Sequence, residues 1–245
     1  MKDNFSEQAR DYAQFRPQYP VALYDFLLSR VAERQTAWDC GTGNGQVAGV
    51  LADHFTRVYA TDISEKQLQH AVAKPNLSYQ VAKAEQTSFP DQTFDLITVA
   101  QAIHWFDFEA FYAEVKRTLK PQGVIAIVGY SLFSIRPPID RIIQRLYADT
   151  LRGYWDPERK YVDEHYQTIP FPFREIEPPA LAMTGEWTLD ECVGYLNTWS
   201  AVQHYLRKNN DNPVGRTREE LQEHWEENTR ETVTFPLLLR VGKQA

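Results

Sequence analysis

The chain predicts an α/β fold: a mostly parallel sheet with helices on both faces, closed by an antiparallel final strand and covered by a helical, aromatic cap. Three observations carry that prediction. Strand-like and helix-like segments alternate through the first half. The run Phe94–Ala100 (FDLITVA) is apolar almost throughout, as a strand buried on both faces of a parallel sheet must be. A last β-rich stretch, residues 232–241, returns after a long segment of different character.

In chain order, residues 36–39 form a short apolar strand that runs into Asp39-Cys40-Gly41-Thr42-Gly43-Asn44-Gly45. Residues 46–54 have helical spacing, with Val47, Val50 and Leu51 on one side. Arg57–Asp62 (RVYATD) is β-rich, and Ser64 caps a helix reaching residue 72, with Glu65 in its first turn. Leu77–Val81 is the third strand, Phe94–Ala100 the fourth, and residues 107–119 an amphipathic helix. Residues 124–128 (VIAIV) are the most β-branched run and give the fifth.

The pattern then changes. Residues 136–155 open on Pro137-Pro138 and have helical spacing, while 154–179 are rich in aromatics and prolines and read as a folded irregular cap. Residues 187–208 read as one helix opened by Thr188 and Glu191 as a capping box. Residues 217–230 are a charge-laced helix with Leu221 and Trp225 inward, and 232–241 close the sheet antiparallel near its edge. The expected organisation is a single domain, 1–245. Its core is 30–131 plus 232–243, and its cap is 1–29 plus 132–230.

Composition narrows the class. An apolar content of 43% over 245 residues is ample for one core. No stretch of 18 apolar residues occurs and the first residues are polar, which argues against a membrane span and a secretory signal. Cys40 and Cys192 stand alone, outside any Cys/His cluster, pointing to a reducing compartment and no zinc site. A net charge of −7 opposes nucleic-acid binding, which rests on phosphate neutralisation. The expectation is a cytoplasmic monomer or homodimer acting on a small molecule, with no metal, nucleic-acid or membrane partner.

The glycine loop points to the ligand. Glycines at alternate positions allow a sharp turn and a close backbone approach that β-carbons would block. The acid ahead of them has the wrong sign for a phosphate cradle, so the loop suits a nucleoside with a cationic end. Asp62 lies 21 residues after Gly41, near the ~20 expected of an acid that bridges ribose hydroxyls. A nicotinamide fingerprint starting at Gly41 would require glycine where this chain has Gln46. In such a sheet the ends of the first four strands, at 39–45, Asp62, Ala84-Glu85 and 101–105, line one cleft.

The run Asp39-x-Gly41-x-Gly43-x-Gly45, the acid Asp62, the stretch FDLITVAQAIHWFD and the opening FSEQARDYAQFRPQYP together resemble class I S-adenosylmethionine-dependent methyltransferases. More narrowly, they resemble the small-molecule, trans-aconitate-type branch. The resemblance covers residues 4–131 and thins over the cap. It implies a Rossmann-like, seven-stranded sheet with S-adenosylmethionine as cofactor. It also implies that Asp39, Gly41, Thr42, Gly43 and Gly45 hold the methionine half, Asp62 the ribose hydroxyls, and Ala84-Glu85 the adenine edge. Ile63, Gln101 and Arg16 complete the cofactor set. Relatives often place Asp where this chain has Lys83, which cannot accept from the adenine amino group, so Glu85 or a backbone carbonyl must.

On the acceptor side, His104 is the candidate base, with a structural histidine as the plain alternative. Tyr12, Trp105 and Arg136 are candidate acceptor contacts. Tyr12 and Arg16 either close over the cofactor's carboxylate or cap a surface helix. The cations Arg136, Arg141, Arg145, Arg152, Arg159 and Lys160 hint at an anionic acceptor, a solvated helix face being the alternative. Two rival functions stay open: a nicotinamide-dependent oxidoreductase on the same fold, and a non-catalytic cofactor-binding protein.

Overall fold

A computed structural model describes residues 18–244; Tyr12 and Arg16 lie outside them. Helix α1 (Val21–Arg30) precedes strand β1 (Thr36–Cys40), and α2 (Gln46–Leu51) leads to β2 (Arg57–Asp62). Then follow α3 (Glu65–Leu68), β3 (Leu77–Val81), β4 (Phe94–Ala100), α4 (Phe108–Thr118) and β5 (Leu119–Tyr130). The later part holds α5 (Pro137–Arg145), α6 (Arg159–Asp163), β6 (Arg174–Ile176) and β7 (Ala182–Trp187). It ends with α7 (Leu189–Asn197), α8 (Ser200–Asn209), α9 (Pro213–Gln222) and β8 (Glu231–Lys243).

These strands make one mixed sheet in the order β3-β2-β1-β4-β5-β8-β6. The first five are parallel; β8 runs antiparallel to β5, and β6 and β7 pair antiparallel with the two halves of β8. Chain order reverses between β1 and β4, so their C-terminal ends border the crevice where open α/β sheets take ligands.

The alternation of side chains explains the two apolar layers. On β1, Ala37 joins the layer holding Leu23, Leu27, Val47 and Leu51, while Trp38 and Cys40 point to the opposite layer. Trp38 is fully buried among Phe89, Phe94 and Phe111, and its indole N–H donates to Thr61 Oγ1 at 2.9 Å. The first layer runs on without a break into the cap through Phe133, Trp187, Tyr195 and Trp199.

Arg57–Asp62, Leu77–Val81 and Phe94–Ala100 form at the expected residues, and the 107–119 helix forms as Phe108–Thr118 with Asp107 as its cap. Ser64 caps α3 by accepting from Gln67 N, but that helix stops at Leu68. Its continuation is diverted into tertiary bonds, Val72 N donating to Asn44 O and Val72 O accepting from Tyr79. The 46–54 helix tightens after Leu51 into a three-residue-reach turn, Asp53 N donating to Val50 O. The fifth strand is longer than expected at both ends, Leu119 pairing with Phe94 of β4 and Tyr130 with Leu237 of β8.

The cap departs further. The expected single helix 187–208 is interrupted at Thr198-Trp199, and Trp187 belongs to β7. There Thr198 Oγ1 donates to Tyr195 O, and Trp199 turns into the rings of Phe133, Tyr147, Trp155 and Tyr195. The helix expected at 217–230 starts at Pro213, capped by Asn212, and ends at Gln222. Asn-Pro at 212–213 is its start signal. Leu221 and Trp225 are buried as expected. The 136–155 helix ends at Arg145 and passes into a wide, π-type turn over Leu146–Thr150.

Candidate functional site

The loop between β1 and α2 is held from below by acids. Asp39, on the buried end of β1, accepts from Thr98 Oγ1 at 2.6 Å, Thr42 Oγ1 at 2.5 Å and Ala48 N at 3.2 Å. Burial pushes its carboxyl up to about 6, the hydrogen bonds offsetting part of that rise. Asp39 thus ties β1, β4 and α2 together and shapes the loop from beneath.

Asp62 spans the other side. Its Oδ2 accepts from Gly43 N at 2.8 Å and its Oδ1 from Ser64 N at 2.9 Å. Each oxygen keeps a further lone pair, so the carboxylate is fixed in place yet able to accept more hydroxyls. The loop amides are spent internally: Gly43 N on Asp62, Thr42 N on Thr61 O, and Gly45 N on Thr42 O.

The three glycines do different work. A β-carbon on Gly41 would lie 2.6 Å from Ala102 Cβ, and one on Gly45 would strike the Tyr79 hydroxyl. These two are required by packing against protein. Among the described residues, Gly43 (φ +56) alone of the three has its missing side chain directed at open space, with Gln67 Oε1 at 4.0 Å as nearest neighbour.

The third and fourth strand ends complete the crevice. Ala84 is buried and Ile63 half-buried. Glu85 Oε1 accepts from Asp107 N at 3.1 Å, so this acid is engaged with the start of α4. Gln101 sits in a left-handed conformation (φ +54), its N–H on Val128 O and its Nε2 donating to Tyr130 O at 3.2 Å.

Beyond Gln101 opens a pocket of about 750 Å³, mouth included, between the β4 and β5 ends and the cap. His104, Tyr130, Phe133, Trp155, Tyr195 and Trp199 supply its rings, and Trp105 lies at its wall. His104 is pushed down to about 3, first by burial and then by the Arg159 charge, so it is neutral at physiological pH. Its Nδ1 lies 3.2 Å from the Tyr166 hydroxyl.

Among the described residues, Arg159 is the cation that lines this pocket. Its guanidinium lies 4.9 Å from the Trp155 ring and 5.3 Å from the Tyr147 ring, and its Nε donates to Tyr147 Oη at 2.8 Å. Both Nη groups lack hydrogen-bond partners among the described residues. Arg136, by contrast, is committed elsewhere: its Nε donates to Glu231 at 2.9 Å and an Nη donates to His224 O, and it does not line the pocket. In the sequence Arg159 is one cation among six, and nothing local separates it from the rest. Tyr166 escaped notice altogether because its position depends on a left-handed turn (φ +59) inside the irregular stretch.

A doubly wound sheet, an acid-anchored glycine loop and a second acid at the end of β2 define the class: nucleoside-cofactor enzymes of the methyltransferase type. Residues 38–127 match the family described as "Methyltransferase domain". A Dictyostelium discoideum protein provisionally named a methyltransferase is 31% identical over 99% of this chain and 95% of its own length. A solved structure from Anaeromyxobacter dehalogenans, provisionally named a type II methyltransferase, is 40% identical with a TM-score of 0.87, covering 93% of this chain and 97% of that one. A Bacillus halodurans structure at 20% identity, TM-score 0.53, covers 92% of this chain and 100% of its own and shows the fold alone. The chain belongs to the S-adenosylmethionine-dependent methyltransferase family.

Among the described residues, no helix is long and apolar enough to cross a membrane, and no group of three or more His, Cys, Asp or Glu side chains is arranged to hold a metal.

Proposed function

We propose that this enzyme methylates a small anionic or hydroxylated molecule held in the aromatic pocket between the β4–β5 ends and the cap. The observation that carries the reading is adjacency. The pocket begins at Gln101, while the neighbouring Ala102 packs against Gly41 of the glycine loop. The acid-anchored loop, suited to a cationic cofactor, thus adjoins the aromatic pocket that carries Arg159.

The residues present fit S-adenosylmethionine. The open side of Gly43 admits the methionine part, and the pinned Asp62 carboxylate accepts from the ribose diol. Buried Ala84 and half-buried Ile63 offer the adenine an apolar wall. Asp39 supports this arrangement from beneath rather than by contact, and Glu85 is shared with α4. When bound, the cofactor supplies an electrophilic methyl group on a sulfonium.

The protein's remaining task is orientation, for which effective molarities of roughly 10⁵–10⁸ M measure the scope. Rings of the cap exclude water and shape the acceptor's body, and Arg159 offers its two Nη groups to an anionic substituent in bidentate fashion. A carboxylate oxygen arrives ionised at neutral pH and needs no base. A hydroxyl does need one, and His104 is placed to serve.

The test is a screen of small carboxylic acids, phenols and hydroxy acids with methyl-labelled S-adenosylmethionine. Label should enter one or a few of these compounds, and Arg159→Gln should raise KM for the anionic ones by roughly tenfold or more. Label found only in protein or nucleic acid would refute the small-molecule acceptor.

A further inference from the structure

The proton positions around His104 follow from a chain of groups with little freedom. Tyr130 O can only accept, so the Gln101 side-chain atom facing it at 3.2 Å must be the amide nitrogen. That fixes the flip of Gln101 and turns its Oε1, also acceptor-only, toward Tyr166. The Tyr166 hydroxyl lies 3.3 Å from that oxygen and donates its single proton to it. The hydroxyl oxygen is left as an acceptor, 3.2 Å from His104 Nδ1. All three bonds form together only when Nδ1 carries the imidazole proton.

The remaining ring nitrogen, Nε2, then bears a lone pair. No described residue bonds it, and His104 lines the aromatic pocket. We propose that Tyr166 is a positioning residue that holds His104 as the Nδ1–H tautomer, so that Nε2 presents a lone pair to the pocket and selects an acceptor bearing a hydroxyl or N–H group there. The inference rests on methyl transfer to a molecule in this pocket and narrows which atom is methylated. An ionised carboxylate placed against that lone pair would be repelled, whereas a hydroxyl or amine would bond to it. A hydroxyl or N–H group sheds its proton on taking a methyl group, and Nε2 is where the chain receives it. Burial and the charge of Arg159 disfavour a lasting imidazolium, so Nε2 gives the proton up to water once the methylated product leaves the pocket.

Packing makes the relay rigid. Tyr166 is fully buried, and a β-carbon on Gly129 of β5 would lie 2.5 Å from its Cε2, so the ring lies against bare backbone. The Tyr166 carbonyl is held by Arg240 Nη1 at 3.1 Å, which keeps the left-handed turn in place.

The tautomer can be read directly from ¹⁵N-labelled wild-type protein without cofactor or acceptor, with His104 assigned by the signal lost in His104→Gln. Nδ1 should resonate as a protonated nitrogen and Nε2 as a bare one. A protonated Nε2 would overturn the proposal regardless of any activity. Tyr166→Phe keeps the ring and removes the relay. It should give a mixed-tautomer spectrum and a kcat reduced about five- to tenfold at unchanged cofactor Kd. In the acceptor screen, turnover confined to compounds whose only reactive oxygen is an ionised carboxylate would overturn the selection of a donor group while leaving the methyltransferase reading intact.

Discussion

Asp39 shows how one side chain can organise a ligand loop and still leave a trace in stability. Its carboxyl is raised to about 6 by burial, above its unfolded value near 3.9, so the folded state favours the protonated form. The stability it contributes is fully present below the unfolded value and is lost as pH rises through about 6. Over that window the loss is on the order of 3 kcal/mol. Unfolding of wild type and Asp39→Asn, compared at pH 4 and pH 8, should show wild type losing stability relative to the variant by roughly that amount. Parallel pH profiles would contradict the assignment. At Gly43 the expectation is sharper: valine there fills the open approach, so Gly43→Val should abolish saturable binding of S-adenosylmethionine, measured by titration. A normal isotherm would remove the loop from the site.

Much at this scale was legible from residue type and spacing. The alternate glycines, Asp62 at its distance and His104 at a strand end all lie in contiguous sequence. What was not legible is division of labour. Gly41 and Gly45 are bound to protein neighbours that are distant in sequence, Ala102 and Tyr79. Glu85 is drawn to α4, Arg136 is drawn to Glu231 and His224, and Arg159 is singled out from its neighbouring cations only by tertiary packing.

Among elements, the five parallel strands were legible, β4 most clearly because its apolar run answers to burial on both faces, whereas β6 and β7 were missed because they form by pairing with β8, distant in sequence. Helices of the cap were read less well because their ends are decided by partners. Trp199 ends α7 and starts α8 by turning into an aromatic cluster that no helical period encodes. The capping box at Thr188 and Glu191, a purely local device, was legible and is present in full. Thr188→Ala should therefore cost about 1 kcal/mol in chemical denaturation without altering cofactor affinity. A loss below a few tenths would mean that tertiary contacts alone hold α7.

The whole molecule places two kinds of chemistry at the ends of neighbouring strands. Acids at β1 and β2 shape the glycine loop, and β4, β5 and the cap shape the aromatic pocket beside it. The core is continuous from sheet to cap, so the aromatic pocket is built on the same framework that supports the glycine loop. Binding of the cofactor and binding of the acceptor are therefore separable. Calorimetric titration of S-adenosylmethionine into wild type, Asp62→Ala and Arg159→Gln tests this most directly. Binding to wild type should be saturable, with a roughly ten- to hundredfold weaker Kd for Asp62→Ala from the loss of charge-assisted hydrogen bonds. The Kd for Arg159→Gln should be unchanged. Wild-type affinity in Asp62→Ala, or loss of cofactor binding in Arg159→Gln, would contradict that separation.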